Sequence, residues 1–128
     1  MSLDAYIRAQ AAQPFDWRTH NCCHFVAGWV AEVTGHDPME GLPATPSMRA
    51  ARRLERELGG TLADAWATKL GRAPIRPELA QAGDIALVPV GDGSAVGICI
   101  GRHVALLTVA DGITMLPMSG ASHAWRLA

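Results

Sequence analysis

The sequence predicts an α+β domain, helical in its first half and an antiparallel sheet in its second. Three observations carry this. Apolar residues of the first half recur at helical spacing between cap-type residues. The runs after Pro77 are β-rich. The breaks between those runs are short turns, too short for the crossover that a parallel pair needs. At 128 residues the chain reads as one domain, 1–128, able to bury a core without disulfide or metal staples.

Residues 3–12 form a short amphipathic helix with Leu3, Tyr6 and Ile7 on one side, closed by Pro14. The next helix begins at Cys22, where Cys22, Phe25, Val26, Trp29, Val30 and Val33 make one apolar stripe. Asn21 stands as its N-cap and Gly35 as its C-terminal cap. Residues 35–43 are too rich in Gly and Pro for regular structure. Thr45 as N-cap and Pro46 in the first turn open a third helix that stops at Gly59-Gly60. Thr61 with Asp64 resembles a capping box for a fourth, which carries Leu62, Trp66 and Leu70 and ends at Gly71.

The strand runs are 84–90, 95–100, 103–109 and 113–116, with a last strand at 122–127. Gly91-Asp92-Gly93-Ser94, Gly101-Arg102 and Asp111-Gly112 are the turns between them. Such short links predict a meander. Several runs are apolar on both faces, so the sheet is expected to be covered on both sides or curled into a half-barrel.

A net charge of -1 leaves no basic surplus for nucleic acid. The run Arg49-Ala50-Ala51-Arg52-Arg53 is balanced by Glu55 and Glu57, and reads as a solvated helix face with i,i+3 and i,i+4 pairs. No segment is long enough to span a membrane. The first residues lack a basic and apolar leader, so no secretory signal is expected. The odd cysteine count, with Cys22 and Cys23 adjacent, argues against a disulfide framework and for a reducing compartment. No cofactor motif stands out.

Cys22 is the residue with the clearest chemical potential. A thiol in the first turn of a helix feels the positive end of the macrodipole, and the thiolate is the nucleophile. Cys23 falls off the apolar stripe, and Cys99 reads as core. His20, Cys22, Cys23 and His24 suggest a metal site, but adjacent cysteines at a helix start do not converge easily on one tetrahedral ion. His103 opens a strand and is the candidate for a displaced base; His123 reads as surface. Trp29 and Trp66 read as core, while Trp17 and Trp125 are candidates for an interface.

Three local patterns resemble NlpC-type cell-wall peptidases, which have a papain-like fold. Asn21-Cys22-Cys23-His24-Phe25-Val26 stands where the family carries Asp-Cys-Ser-Gly-Phe-Val. Ala82-Gly83-Asp84-Ile85-Ala86-Leu87 stands for Pro-Gly-Asp-Leu-Val, and Ala95-Val96-Gly97-Ile98-Cys99-Ile100-Gly101 for His-Val-Gly-Ile-Tyr-Leu-Gly. The likeness runs from Trp17 onward and implies N-terminal helices packed on a C-terminal antiparallel sheet or half-barrel. A closer resemblance is to small phage and prophage proteins that end in Ala-Trp-Arg, here Ala124-Trp125-Arg126. It implies a tail-tip or baseplate setting: synthesis in the bacterial cytoplasm, incorporation in the virion, and other tail-hub or baseplate proteins as partners.

The family's catalytic histidine falls on Ala95, and its third polar residue near Leu106, Leu107 or Thr108, of which only Thr108 is polar. A cysteine hydrolase needs a base in reach of the thiol and a group that orients it. The expectation is therefore a structural or adaptor protein on a degenerate peptidase fold. The alternative is an active cysteine hydrolase acting on peptidoglycan, an endopeptidase or amidase, with Cys22 as nucleophile and His103 as base. A third reading is a bacterial or prophage-encoded cytoplasmic protein without a virion role.

Overall fold

Four helices precede five strands in the computed structural model, which describes residues 1–43, 45–91 and 93–127. The helix ends follow local side-chain chemistry. In α1 (Leu3–Ala11) the Ser2 hydroxyl accepts from the Ala5 amide at 3.2 Å. In α2 (Cys22–Thr34) the Asn21 side-chain oxygen accepts from the His24 amide at 2.9 Å, and Gly35 closes the helix at φ 78°. In α4 (Leu62–Leu70) Thr61 accepts from the Asp64 amide at 3.1 Å, and Gly71 terminates.

α3 (Met48–Leu58) departs from expectation. Its N-cap is Ser47, whose hydroxyl accepts from Ala50 at 3.2 Å. Thr45 and Pro46 lie before the helix, and Thr45 is buried. The two capping sequences are locally equivalent, and packing of Thr45 decides between them. Val33 also leaves the predicted stripe; it is 41% exposed, and the apolar face of α2 ends at Val30.

The strands are β1 (Ile85–Val90), β2 (Gly93–Cys99), β3 (His103–Thr108), β4 (Gly112–Pro117) and β5 (His123–Trp125). They form one antiparallel sheet in the order β4-β3-β2-β1-β5. The meander holds for the first four strands. The chain then returns across the sheet, and β5 pairs with the outer edge of β1. Gly93 and Ser94, expected in a turn, belong to β2; Asp92 of that turn lies outside the described residues.

Both faces of the sheet are apolar, as expected. One carries Ile85, Leu87, Val96, Ile98, Ala105 and Leu107 against the helices. There Phe25 and Val26 of α2, Trp66 of α4 and Trp125 of β5 are fully buried. Each such side chain contributes about 1.5–3 kcal/mol through burial. The other face is smaller: Ala86, Val88, Val104 and Leu106, with Ala95 and Leu116 at its margin. β2 and β3 approach so closely that a Cβ on Gly97 would collide with the Ala105 carbonyl and the Leu106 side chain. Among the described residues their register is Ile98↔Ala105 and Cys99↔Val104, at one end only.

Two of the sequence patterns prove to be structural. Gly83 lies under the Trp29 ring, and its carbonyl accepts from Trp29 Nε1 at 2.8 Å. The buried Asp84 carboxylate accepts from the Gln81 amide at 2.8 Å and the Leu127 amide at 3.3 Å. Arg126 approaches the same carboxylate at 3.9 Å and donates to the Leu79 carbonyl at 2.8 Å. Gly83-Asp84 and Ala124-Trp125-Arg126 thus fasten the C-terminal strand to the start of β1.

Candidate functional site

The loop before Cys22 is held by its own polar groups. Asp16 and His20 exchange two backbone hydrogen bonds at 2.8 Å. The Asp16 carboxylate accepts from the Arg18 and Thr19 amides at 2.7 and 3.2 Å. Asn21 also donates from its side chain to the Trp17 carbonyl at 2.7 Å. This clamp sets Cys22 and Cys23 in the first turn of α2. Both are half-buried and neither is in a disulfide.

The two thiols have opposite environments. The Cys22 thiol is pushed well above its usual range, first by the hydrogen bond it shares with Cys23, then by burial; the Val96 backbone on β2 pulls the other way. Cys22 therefore abuts β2 beside Ala95. The Cys23 thiol is pulled down to about 7, first by the hydrogen bond with Cys22, then by the charge of Lys69 and the indole of Trp66, against the opposing effects of burial and Glu55. Lys69 Nζ lies 4.5 Å from the Trp66 ring centre. Cys23, Glu55 and Lys69 line a small pocket of about 20 Å³ with Met39, Thr45 and Leu62.

No imidazole meets these sulfurs among the groups that shift them. His20 is buried and its Nε2 lies 3.1 Å from the Gln10 carbonyl. His24 Nδ1 lies 3.0 Å from the Asn21 side-chain oxygen, and burial pushes its imidazole below the ordinary range. His103 is exposed at the start of β3, where its carbonyl accepts from Ile100. Ile100 is four residues along from Val96, about 13 Å at strand spacing. His123 sits on β5 opposite Leu87, which pairs with Val96 on its other side, so two strand spacings, about 10 Å, intervene. The structure does not bring His103 or His123 to Cys22. Among the described residues, no three His, Cys, Asp or Glu side chains converge as metal ligands.

Ala95 and Thr108, where the resemblance calls for the base and its orienting partner, do share a cleft. It measures about 630 Å³, lies beside the smaller apolar face, and is lined also by Arg52, Glu55, Ser94 and Thr114. The Thr108 hydroxyl donates to the Gly112 carbonyl at 3.1 Å and lies 3.4 Å from the Thr114 hydroxyl. Cys22 does not line this cleft, whereas Glu55 lines both it and the Cys23 pocket.

The arginines of α3 are not paired as the sequence suggested. Among the described residues, no ion pair within 4.0 Å joins Arg49, Arg52, Arg53 or Arg56 to Glu55 or Glu57. Arg49, Arg52 and Arg56 instead line a groove of about 370 Å³ with Met48, continuous with the cleft through Met48 and Arg52. Trp29 and Trp66 are buried in the core as expected, and only the interface candidates need revision. Trp125 is fully buried, because its side chain joins the core between the sheet and the helices, and it cannot anchor an interface. Trp17 is half-buried and meets Phe15 edge-on at 5.1 Å.

Sequence reasoning missed Trp66, Lys69 and Glu55 as neighbours of the cysteines. The helical spacing of Trp66 and Lys69 was visible, but nothing local aimed them at α2. A family model described as a domain of unknown function (DUF6950) matches residues 1–127. No match is found among curated proteins.

Proposed function

The chain belongs to the DUF6950 family, and we propose that it is a non-hydrolytic binding module of papain-like, NlpC-type architecture. In this reading it serves as a structural or adaptor protein of a phage tail tip or baseplate. It is made in the bacterial cytoplasm and carried in the virion. The observation that carries the non-hydrolytic part is the surroundings of Cys22. Its helix meets β2 beside Ala95, a residue with no proton to give or take, and the groups acting on its sulfur are Cys23 and backbone. Without a base and an oriented acid, a thiol in that place does not turn over an amide. No observation favours His103 as a displaced base.

The adaptor part rests on the resemblance of the Ala124-Trp125-Arg126 ending and the cysteine segment to phage and prophage proteins. The partner surface we assign is the cleft of about 630 Å³ with the groove along α3. Arg49, Arg52 and Arg56 flank apolar Met48 and Val90, which are 50% and 47% exposed. An acidic, partly apolar segment of a neighbouring tail protein fits that chemistry. Co-expression with tail-hub and baseplate proteins tests this. The expected result is co-purification that weakens with rising salt and is lost in Arg52→Glu, with the fold intact by circular dichroism. A chain that stays monomeric with all of them, and is missing from purified virions, overturns the reading.

A further inference from the structure

We propose that Cys23, rather than Cys22, is the reactive thiolate of this chain and a site of reversible oxidation by small peroxides. The inference is independent of the tail role and would stand if that role failed.

Cys23 lies off the sheet-facing stripe, so it looks toward α4 instead of β2. The groups it meets there favour an anionic sulfur. Trp66 is fully buried, and its Nε1 has no hydrogen-bond partner. A buried N–H without an acceptor is costly and calls for an explanation. That indole acts on the Cys23 sulfur, and a thiolate is the acceptor that would satisfy it. Lys69 adds a positive charge beside the same ring, with its Nζ at 4.5 Å from the centroid. Cys22 keeps its proton and offers it to Cys23, since its own thiol is pushed up. The first turn of a 13-residue helix contributes in the same direction. The other cysteine lacks all of this: Cys99 is buried in β2, its Sγ lies 3.5 Å from the Gly101 carbonyl, and burial pushes its thiol up.

The pocket at Cys23 selects the reagent. Its volume is about 20 Å³, and room for one water needs about 10–15 Å³. Hydrogen peroxide fits that scale; a bulky disulfide does not. The Cys23 sulfur attacks one peroxide oxygen, a sulfur–oxygen bond forms and the oxygen–oxygen bond breaks. Sulfur loses two electrons to the peroxide, and the departing hydroxide takes a proton from solvent to become water. The product is a sulfenic acid. A small dithiol reverses it: one thiol displaces water to give a mixed disulfide, and the second thiol releases Cys23.

The test exposes the reduced, folded full chain to hydrogen peroxide, removes the peroxide, and then unfolds the chain in the presence of a cyclic diketone that traps sulfenic acid, with the adduct located by peptide mass spectrometry. The expected adduct is on Cys23, with Cys22 and Cys99 unmodified in the folded protein. Because the thiolate reacts, the rate rises with pH through about 7, roughly tenfold between one unit below and one unit above that value. Trp66→Phe keeps an aromatic ring but loses the N–H, and Lys69→Met loses the charge; each should move the rate midpoint upward. First modification at Cys22 or Cys99, or oxidation of Cys23 only when denaturant is present during the peroxide step, overturns the proposal. A midpoint unmoved in both folded variants overturns the part assigned to Trp66 and Lys69.

Discussion

Cys22 and Cys23 are joined by one peptide bond, yet their sulfurs face different elements and carry different chemistry. That division was half legible in the sequence. The stripe Cys22-Phe25-Val26-Trp29 shows which thiol turns toward the sheet, and Asn21 shows where the helix starts. What lies on the other side of Cys23 is tertiary: Glu55, Trp66 and Lys69 come from two helices more than thirty residues on, and no local pattern announces them. A second residue-scale case is Tyr6. Its hydroxyl donates to the Phe25 carbonyl at 2.6 Å, and its ring packs against Phe25 and Trp29 at 5.9 and 5.5 Å. Burial, then the charge of Glu32, raises its ionisation from 10.0 to about 12. A phenol raised in the folded state contributes stability that is complete below its unfolded value and is lost as pH rises through the folded one. Stability should therefore fall between pH 10 and 12, and Tyr6→Phe should flatten that fall. At neutral pH the same variant should cost about 0.5–1.5 kcal/mol. Urea unfolding across that alkaline range measures both; an equal alkaline fall in the variant would exclude Tyr6 as its source.

The elements themselves were largely readable, because helix ends and hairpin turns are decided by side chains within a few residues. The caps at Asn21, Thr61, Gly35 and Gly71 stand where the sequence put them. The start of α3 does not. Thr45-Pro46 and Ser47 offer the same local chemistry, and the burial of Thr45 beside the Cys23 pocket leaves the cap to Ser47. The return of β5 to the edge of β1 was also hidden, since only Asp84, Ile85 and Leu87 pairing at a distance reveals it. Two substitutions separate the alternatives for α3. Ser47→Ala should destabilise the chain by about 0.5–2 kcal/mol through loss of the cap. Thr45→Val removes the hydroxyl at the predicted cap position at similar volume and should leave helix content unchanged, whereas a Ser47→Ala protein as stable as wild type would return the cap to Thr45. Gly97 belongs to this scale too. Its lack of a side chain lets β2 and β3 meet, so the Val96-Gly97-Ile98 string that carries part of the family resemblance has a packing reason independent of catalysis.

At the scale of the whole molecule, the α+β order, both apolar sheet faces and the antiparallel arrangement follow from patterning. The cleft does not, because it forms where α3 overhangs the far end of β2, β3 and β4. There the molecule brings together Ala95, Thr108 and a helix rich in arginine, while both cysteines stay outside the cleft. The Gly83-Asp84 and Ala124-Trp125-Arg126 strings, which looked like family signatures, hold the sheet edge together. What remains for function is a charged cleft lined by Arg52 and Glu55, with neither cysteine in it. The most direct measurement is mass-spectrometric detection of products after incubating the purified chain, and its Cys22→Ala and Cys23→Ala variants, with peptidoglycan peptides. No cleavage by any of the three is expected. Cleavage by the wild-type chain that disappears in Cys22→Ala would contradict the non-hydrolytic reading.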